Sequence, residues 1–252
     1  SDIDDIIVFT KEGEMQVVRV DSKVFVGKNI IHASIFKRND SRTIYNMIYR
    51  DGKRGTSFIK RFAVKGITRD KIYNMTQGTE GSGVLYFSAN SNGEAEVVTI
   101  TLRNSGSIKK LKWDLDFADL QIKGRGVRGN TVTKYSILRV DFKEKGVSTL
   151  KPRNIWFDQT INRLNTDERG VLLGAFSGEN KLLLVNNDGN TRVVTPDISL
   201  HFDDKMIRIE KWIPKKPLTA IYFDREKERY FIKRFLIESE TKEDNFVKDG
   251  GE

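Results

Sequence analysis

The sequence predicts an all-β chain of six repeated antiparallel hairpins, closed radially in the manner of a propeller, and three observations carry that prediction. The pentapeptide Phe58-Ile59-Lys60-Arg61-Phe62 returns unchanged at 231–235, and each copy ends a unit made of an apolar run, a charged turn and a second apolar run. Turn centres near 12, 52, 92, 145, 188 and 226 give a spacing of roughly forty residues with one long step, the period of blade-like repeats. Between the turns the runs are β-branched and aromatic, which favours strand over helix. Radial closure would leave few exposed sheet edges, whereas one flat sheet of so many strands would not be stable.

Taken in order, residues 5–20 form a first hairpin around Lys11-Glu12-Gly13, and residues 24–36 form a loop at Gly27 followed by a strand. The second hairpin runs from Ile44-Tyr45-Asn46-Met47, a tetrapeptide repeated at 72–75, through the turn at Asp51-Gly52 to the first Phe-Ile-Lys-Arg-Phe. The third turns at Asn90-Ser91-Asn92-Gly93. A fourth is expected from 136–142 through a turn at Lys143-Glu144-Lys145-Gly146 to Ile155-Trp156-Phe157, and residues 159–169 read as a short helix. The fifth turns at Asn187-Asp188-Gly189, and the sixth carries the second Phe-Ile-Lys-Arg-Phe. In a strand, neighbouring side chains point to opposite faces. Lys60 and Arg61 therefore cannot share one core, and the strand is expected near a rim where both reach water.

The net charge is +9, and residues 238–252 hold six acids against two bases, so the body before them carries +13. Such a body suits a polyanionic partner. The chain has no Cys, which removes disulfides, thiolate metal sites and Cys nucleophiles and fits a reducing, cytoplasmic setting. No run of about 18–20 apolar residues that could span a membrane is present, the N-terminal residues do not read as a signal peptide, and a first residue other than Met points to a piece of a longer protein.

The strand, Thr-Lys-Glu-Gly turn and Val-Val-Arg-Val return at 6–20, repeated about every forty residues in a basic chain, resemble the C-terminal domain of the A subunit of bacterial type IIA topoisomerases. Topoisomerase IV is the nearer likeness, gyrase the further. The resemblance covers nearly the whole chain and is loose between 104 and 170. It implies a six-bladed β-pinwheel over residues 1–237, a disordered acidic tail at 238–252, and double-stranded DNA bent around a basic outer rim. The remainder of the A subunit and the ATP-hydrolysing B subunit would be its protein partners. Gyrase wraps DNA with a loop of the form Gln-basic-Arg-Gly-Gly-basic-Gly; Lys123-Gly124-Arg125-Gly126-Val127-Arg128-Gly129 lacks the Gln and the adjacent glycines, which counts against chiral wrapping of that kind. No segment resembles the cleavage domain, so no strand cleavage is expected.

The cations expected to meet DNA are Lys37 and Arg38; Arg50, Lys53 and Arg54; Lys60 and Arg61; Lys109 and Lys110; Lys123, Arg125 and Arg128; and Lys233 and Arg234. Their recurrence from unit to unit suggests a track for phosphates, which would position a duplex without reading its sequence. A solvated surface is the competing reading of any one cluster. Gly124, Gly126 and Gly129 spell a dinucleotide fingerprint, but Thr131-Val132-Thr133 does not open the helix that such a site needs. His201, Asp203 and Asp204 read as a surface turn, not a metal site, and His32 as a packed or hydrogen-bonded residue. With no nucleophile elbow, no catalytic constellation and no cofactor are expected. A protein-interaction propeller meeting an acidic partner, and an enzyme with a site in its central channel, are the alternative readings.

Overall fold

The computed structural model describes residues 4–21, 23–104, 106, 108–198, 200–237 and 244–247. The chain divides into two units, Ser1–Leu150 and Lys151–Glu252. In the first lie β1 (Asp5–Thr10), β2 (Glu14–Arg19), β3 (Ile30–Phe36), β4 (Ile44–Arg50), β5 (Ser57–Ala63), β6 (Tyr73–Asn74), β7 (Gly83–Asn90), β8 (Glu94–Leu102), β9 (Lys112–Asp116), β10 (Ile122–Gly124), β11 (Asn130–Thr133) and β12 (Ile137–Ser148). In the second lie β13 (Arg153–Asp158), β14 (Arg163–Asn165), β15 (Val171–Phe176), β16 (Leu182–Asn186), β17 (Asn190–Val194), β18 (Met206–Lys211), β19 (Leu218–Asp224), β20 (Arg229–Phe235) and β21 (Asp244–Asn245). Among the described residues the single helical element is a 3-10 turn at Phe117–Asp119.

Among the described residues the strands form six sheets, and five of the six expected turns stand where the sequence places them. In the first unit the order is β3-β1-β2-β6, then β10-β5-β4-β7 with β11 also on β5, then β12-β8-β9. The second sheet is covered on both faces. Tyr45, Met47, Tyr49, Phe58 and Phe62 pack with Ile7, Phe9, Met15 and Val17 of the first sheet. Ile48 and Ile59 pack with Ala95, Val98 and Ile100 of the third. Alternate side chains of β4 and β5 thus enter different cores, which explains a strand buried at every position despite its two cations. Each large apolar side chain so buried contributes about 1.5–3 kcal/mol.

The fourth expected turn is absent. Residues 143–146 lie inside β12, which runs unbroken along β8 with three register shifts, pairing Lys145 with Glu96 and Ser148 with Glu94. A Cβ on Gly146 would collide with the Ala95 carbonyl, so this glycine permits close approach of two strands and is not a turn residue. The charged Lys-Glu-Lys run, read as a turn, is the solvent-facing part of a long edge strand.

In the second unit the orders are β14-β13-β15, β18-β16-β17-β21 and β19-β20. The segment 159–169 is not helical. It makes a turn and then β14, which pairs with β13 through Trp156 opposite Asn165 and Asp158 opposite Arg163. Asn165 fixes the loop that follows, its Oδ1 accepting from the Asp167 and Arg169 amides at 3.0 and 3.1 Å. The disordered tail expected over 238–252 fails at 244–247: Asp244 and Asn245 pair with β17, Phe246 stacks on Phe235 at 4.9 Å, and Val247 is buried. Two apolar residues in an acidic stretch suffice to dock it. The rest of that tail lies outside the described residues.

Candidate nucleic-acid interface

The two cations of the first Phe-Ile-Lys-Arg-Phe are not at a rim. Lys60 is 3% exposed and Arg61 1%, and their side chains occupy opposite faces of β5. Burying an unpaired charge is costly, and each is compensated differently. The Arg61 guanidinium donates from Nε to Asn46 Oδ1 (3.0 Å), from Nη1 to Thr149 Oγ1 (3.0 Å) and from Nη2 to the Gly93 carbonyl (3.0 Å). Asn46 in turn donates to buried Glu96 at 3.2 Å, so the network joins β4 and β5 to the turn before β8. Burial pulls Arg61 down from its ordinary range while Glu96 and Asp116 oppose the shift. This residue is a fastener between the second and third sheets, and no phosphate can reach it.

Lys60 faces the other way. Its Nζ donates to the carbonyls of Arg125 (2.8 Å) and Val127 (3.1 Å) and lies 4.8 Å from the Phe62 ring centre. Burial lowers its pKa to about 8. The assignment of Lys60 and Arg61 as phosphate contacts is therefore corrected: cover on both faces leaves no solvent side for either.

The carbonyls that Lys60 holds belong to the basic loop. β10 joins the edge of β5 in parallel, with Ile122 opposite Arg61 and Gly124 opposite Ala63; β11 joins the same edge antiparallel, with Asn130 opposite Ile59. Between them residues 125–129 leave the ladder and arch over Lys60. Gly129 makes the return possible, having φ +93° and a position where a Cβ would meet the Ile59 carbonyl and approach Lys60 Cβ to 2.9 Å. Such a backbone is open to glycine and strained for other residues. Further anchors are the Tyr49 hydroxyl, which donates to the Arg128 carbonyl at 2.8 Å, and Arg125, whose Nη1 donates to the Gly66 carbonyl at 2.5 Å and whose guanidinium lies 4.3 Å from the Tyr73 ring centre. Arg128 sits over Phe58 at 5.3 Å. No helix follows Gly129, so the dinucleotide fingerprint has no structural counterpart.

The structure brings Arg125 and Lys71 together on the Tyr73 ring, the Lys71 Nζ lying 5.4 Å from its centre, while Lys123 and Arg128 stand on the same loop and its entering strand. Sequence reading passed over Lys71, though the repeated Ile-Tyr-Asn-Met at 72–75 marked its surroundings. Other expected DNA-facing cations are dispersed. Lys37 and Arg38 precede the Ile44 end of β4, while Lys53 and Arg54 stand on the turn at its other end, roughly 20 Å away for a strand of this length. Arg50 is half-buried and donates to the Gly52 carbonyl at 2.8 Å. Lys109 and Lys110 are exposed ahead of β9, and Lys233 and Arg234 are exposed on β20. Among the described residues, none of these surface cations forms an ion pair with a carboxylate.

His201 bridges Arg163, Asp204 accepts from Asn162 at 2.6 Å, and Asp203 caps the Lys205 amide. Each group is engaged in local turn structure, and among the described residues no cluster of metal-ligating side chains occurs. His32 contacts Ser34 at 2.9 Å and packs near Phe9, and burial lowers its pKa. Among the described residues no helix is long and apolar enough to cross a membrane.

The family model for the topoisomerase C-terminal domain of Bacteroidota matches residues 1–145 and 163–252. The chain belongs to that family. The gap in the match spans the end of β12 and all of β13, where the sequence-level likeness is also weakest. Among solved structures, the C-terminal domain of DNA topoisomerase IV aligns with 12% identity and a TM-score of 0.36 over 94% of this chain and 81% of the other. The DNA gyrase A C-terminal domain aligns with 14% identity and a TM-score of 0.29 over 84% of each. Scores this low carry no argument about shape and do not separate the two. No curated protein matches the sequence. For this topoisomerase C-terminal domain, family membership rests on the sequence match, and the all-β architecture on its own six sheets.

Proposed function

We propose that this topoisomerase C-terminal domain binds and bends double-stranded DNA through phosphate contacts, without cleaving it, as the accessory domain of a type IIA topoisomerase A subunit. Topoisomerase IV is the better candidate than gyrase, because the loop at 123–129 lacks the Gln and paired glycines of the gyrase signature. The observation that carries the proposal is the anchored arch at 125–129, which carries Arg125 and Arg128, has Lys123 on the strand leading into it and Lys71 on the ring that Arg125 covers, and meets no carboxylate partner among the described residues. The remainder of the A subunit and the ATP-hydrolysing B subunit are the partners this role implies, in the cytoplasm. Bending a duplex costs on the order of 1–6 kcal/mol by elastic estimates, offset by the added phosphate contacts.

The test is a mobility-shift titration of the 252-residue chain against duplexes of graded length and unrelated sequence, repeated over a range of salt. Affinity that rises to a threshold length, ignores sequence and falls steeply with salt is expected. Salt-insensitive affinity would defeat it. One observation favours a protein-binding role alongside: the apolar face of β19 and β20, with Ile221 71% and Ile232 73% exposed, and saturable capture of an acidic protein in preference to DNA would support that reading.

A further inference from the structure

We infer that the arch at 125–128 is a backbone anion cradle whose form is set by Lys60 from beneath, and that its ligand is a phosphate diester oxygen of the duplex. This rests on the DNA-binding reading and deepens it. In a trans peptide the C=O and the following N–H point in opposite directions, and no cis peptide occurs among the described residues. The Arg125 and Val127 carbonyls are turned inward to the Lys60 ammonium. The amides of Gly126 and Arg128 are consequently turned outward, away from the core.

Neither of those N–H groups has a hydrogen-bond partner among the described residues, whereas the intervening Val127 amide donates to the Gly124 carbonyl at 3.3 Å. Gly126 and Arg128 are both exposed. Two outward amides separated by one residue make a concavity suited to an anion, and Lys123 and Arg128, both exposed, flank it in sequence. Lys60 cannot touch the ligand, because its ammonium is held by the carbonyls behind the arch. It is a positioning residue. Fixing a glycine-rich loop in advance spares the ordering cost that a free loop would meet on binding, which is how preorganisation raises affinity.

The same arch should be disrupted by two independent substitutions. Lys60→Met keeps the stem volume and removes the ammonium; Gly129→Ala keeps every charge and blocks the return of the arch to β5. The readouts are the initial tryptic cleavage rates at Arg125 and Arg128, followed by mass spectrometry, and the affinity for a long duplex. Thermal denaturation confirms that each variant is folded, and Gly129→Ala, at a half-buried loop position outside the strands, keeps the test open should Lys60→Met fail to fold. We expect both variants to raise cleavage at the two arginines about tenfold, the loss of a charge-assisted hydrogen bond expressed as a ratio. Affinity should fall by a similar factor in each, and the loss caused by Lys60→Met should persist in an Arg125→Ala/Arg128→Ala background, because those substitutions leave the backbone amides of the cradle in place.

Cleavage at the wild-type rate in Lys60→Met overturns the positioning role. So does a Lys60→Met loss of affinity that vanishes in the arginine-substituted background, since Lys60 would then act only through the arginine side chains and not through the backbone amides. If the arch loosens but neither the two glycine and lysine variants nor the arginine pair changes DNA affinity, the phosphate ligand is overturned, and the fault lies in the DNA-binding reading of the loop.

Discussion

Lys60 and Lys233 hold the same place in the same pentapeptide, paired across equivalent hairpins, and one is sealed in a core while the other stands in solvent. The local geometry agrees in detail. Phe58 is opposite Tyr49 and Ile59 opposite Ile48; Phe231 is opposite Tyr222 and Ile232 opposite Ile221. Lys60 lies 4.8 Å from the Phe62 ring centre and Lys233 5.4 Å from that of Phe235. The difference is the cover. Phe58 and Phe62, which flank Lys60 on its own face, are 7% and 0% exposed against the first sheet, whereas Phe231 and Phe235 are only half-buried and among the described residues β20 pairs only with β19.

The two copies should therefore behave oppositely toward DNA. Lys233→Ala/Arg234→Ala is expected to weaken binding on all sequences and to reduce the slope of log K against log salt by about 0.9 for each phosphate no longer neutralised. Lys60→Arg, which retains the charge, should shift loop protection without that change in slope. Salt titration of both variants measures the difference, and identical slopes would place the two lysines in the same role.

Arg61→Met is expected to destabilise the first unit by about 3–5 kcal/mol, the usual cost of breaking a buried charged network while its partners stay in place. The Asn46 amide oxygen, the Gly93 carbonyl and Glu96 would all be left without their cation. Arg234→Ala, on an exposed strand, should change stability by no more than about 0.5 kcal/mol. Denaturant melts of the two variants check the contrast.

The pH dependence of stability carries a signature of Lys60. Burial lowers its pKa to about 8 from the ordinary 10.5, so between those values the unfolded chain binds more protons than the folded one and this group makes stability rise with pH. Below pH 8 both states are protonated and the full burial cost is felt. The groups facing it are the uncharged carbonyls of Arg125 and Val127, and Tyr49, pushed up to about 12 by burial, does not titrate in that window. The stability difference between the parent chain and Lys60→Met should shift in favour of the parent from pH 8 to 10.5, and a difference constant with pH would refute it.

Deleting residues 244–252 should lower the melting temperature of the second unit, because it removes β21 from β17 and takes Phe246 off Phe235 and Val247 off Gly189. Removing two such apolar side chains from their seats costs roughly 2–5 kcal/mol. Calorimetry on the truncated chain decides, and an unchanged transition would return this stretch to the role of a free acidic tail.

What the sequence determined by itself is the local chemistry. Alternating apolar runs, glycine turns and the repeated pentapeptide place five hairpins, the opposed faces of Lys60 and Arg61, and the basic loop at 123–129, because strand period and turn chemistry act over a few residues. The fourth unit escaped such reading, since Lys143-Glu144-Lys145-Gly146 has the composition of a turn and only the partner strand β8 makes it edge strand. The fate of the cations was decided by tertiary structure alone. Whether Phe-Ile-Lys-Arg-Phe presents its charges to water depends on how many sheets cover it, and whether Arg125 and Arg128 ride on a loose loop depends on a lysine more than sixty residues earlier. Burial is a property of what packs from a distance, and a five-residue word is the same word in both places.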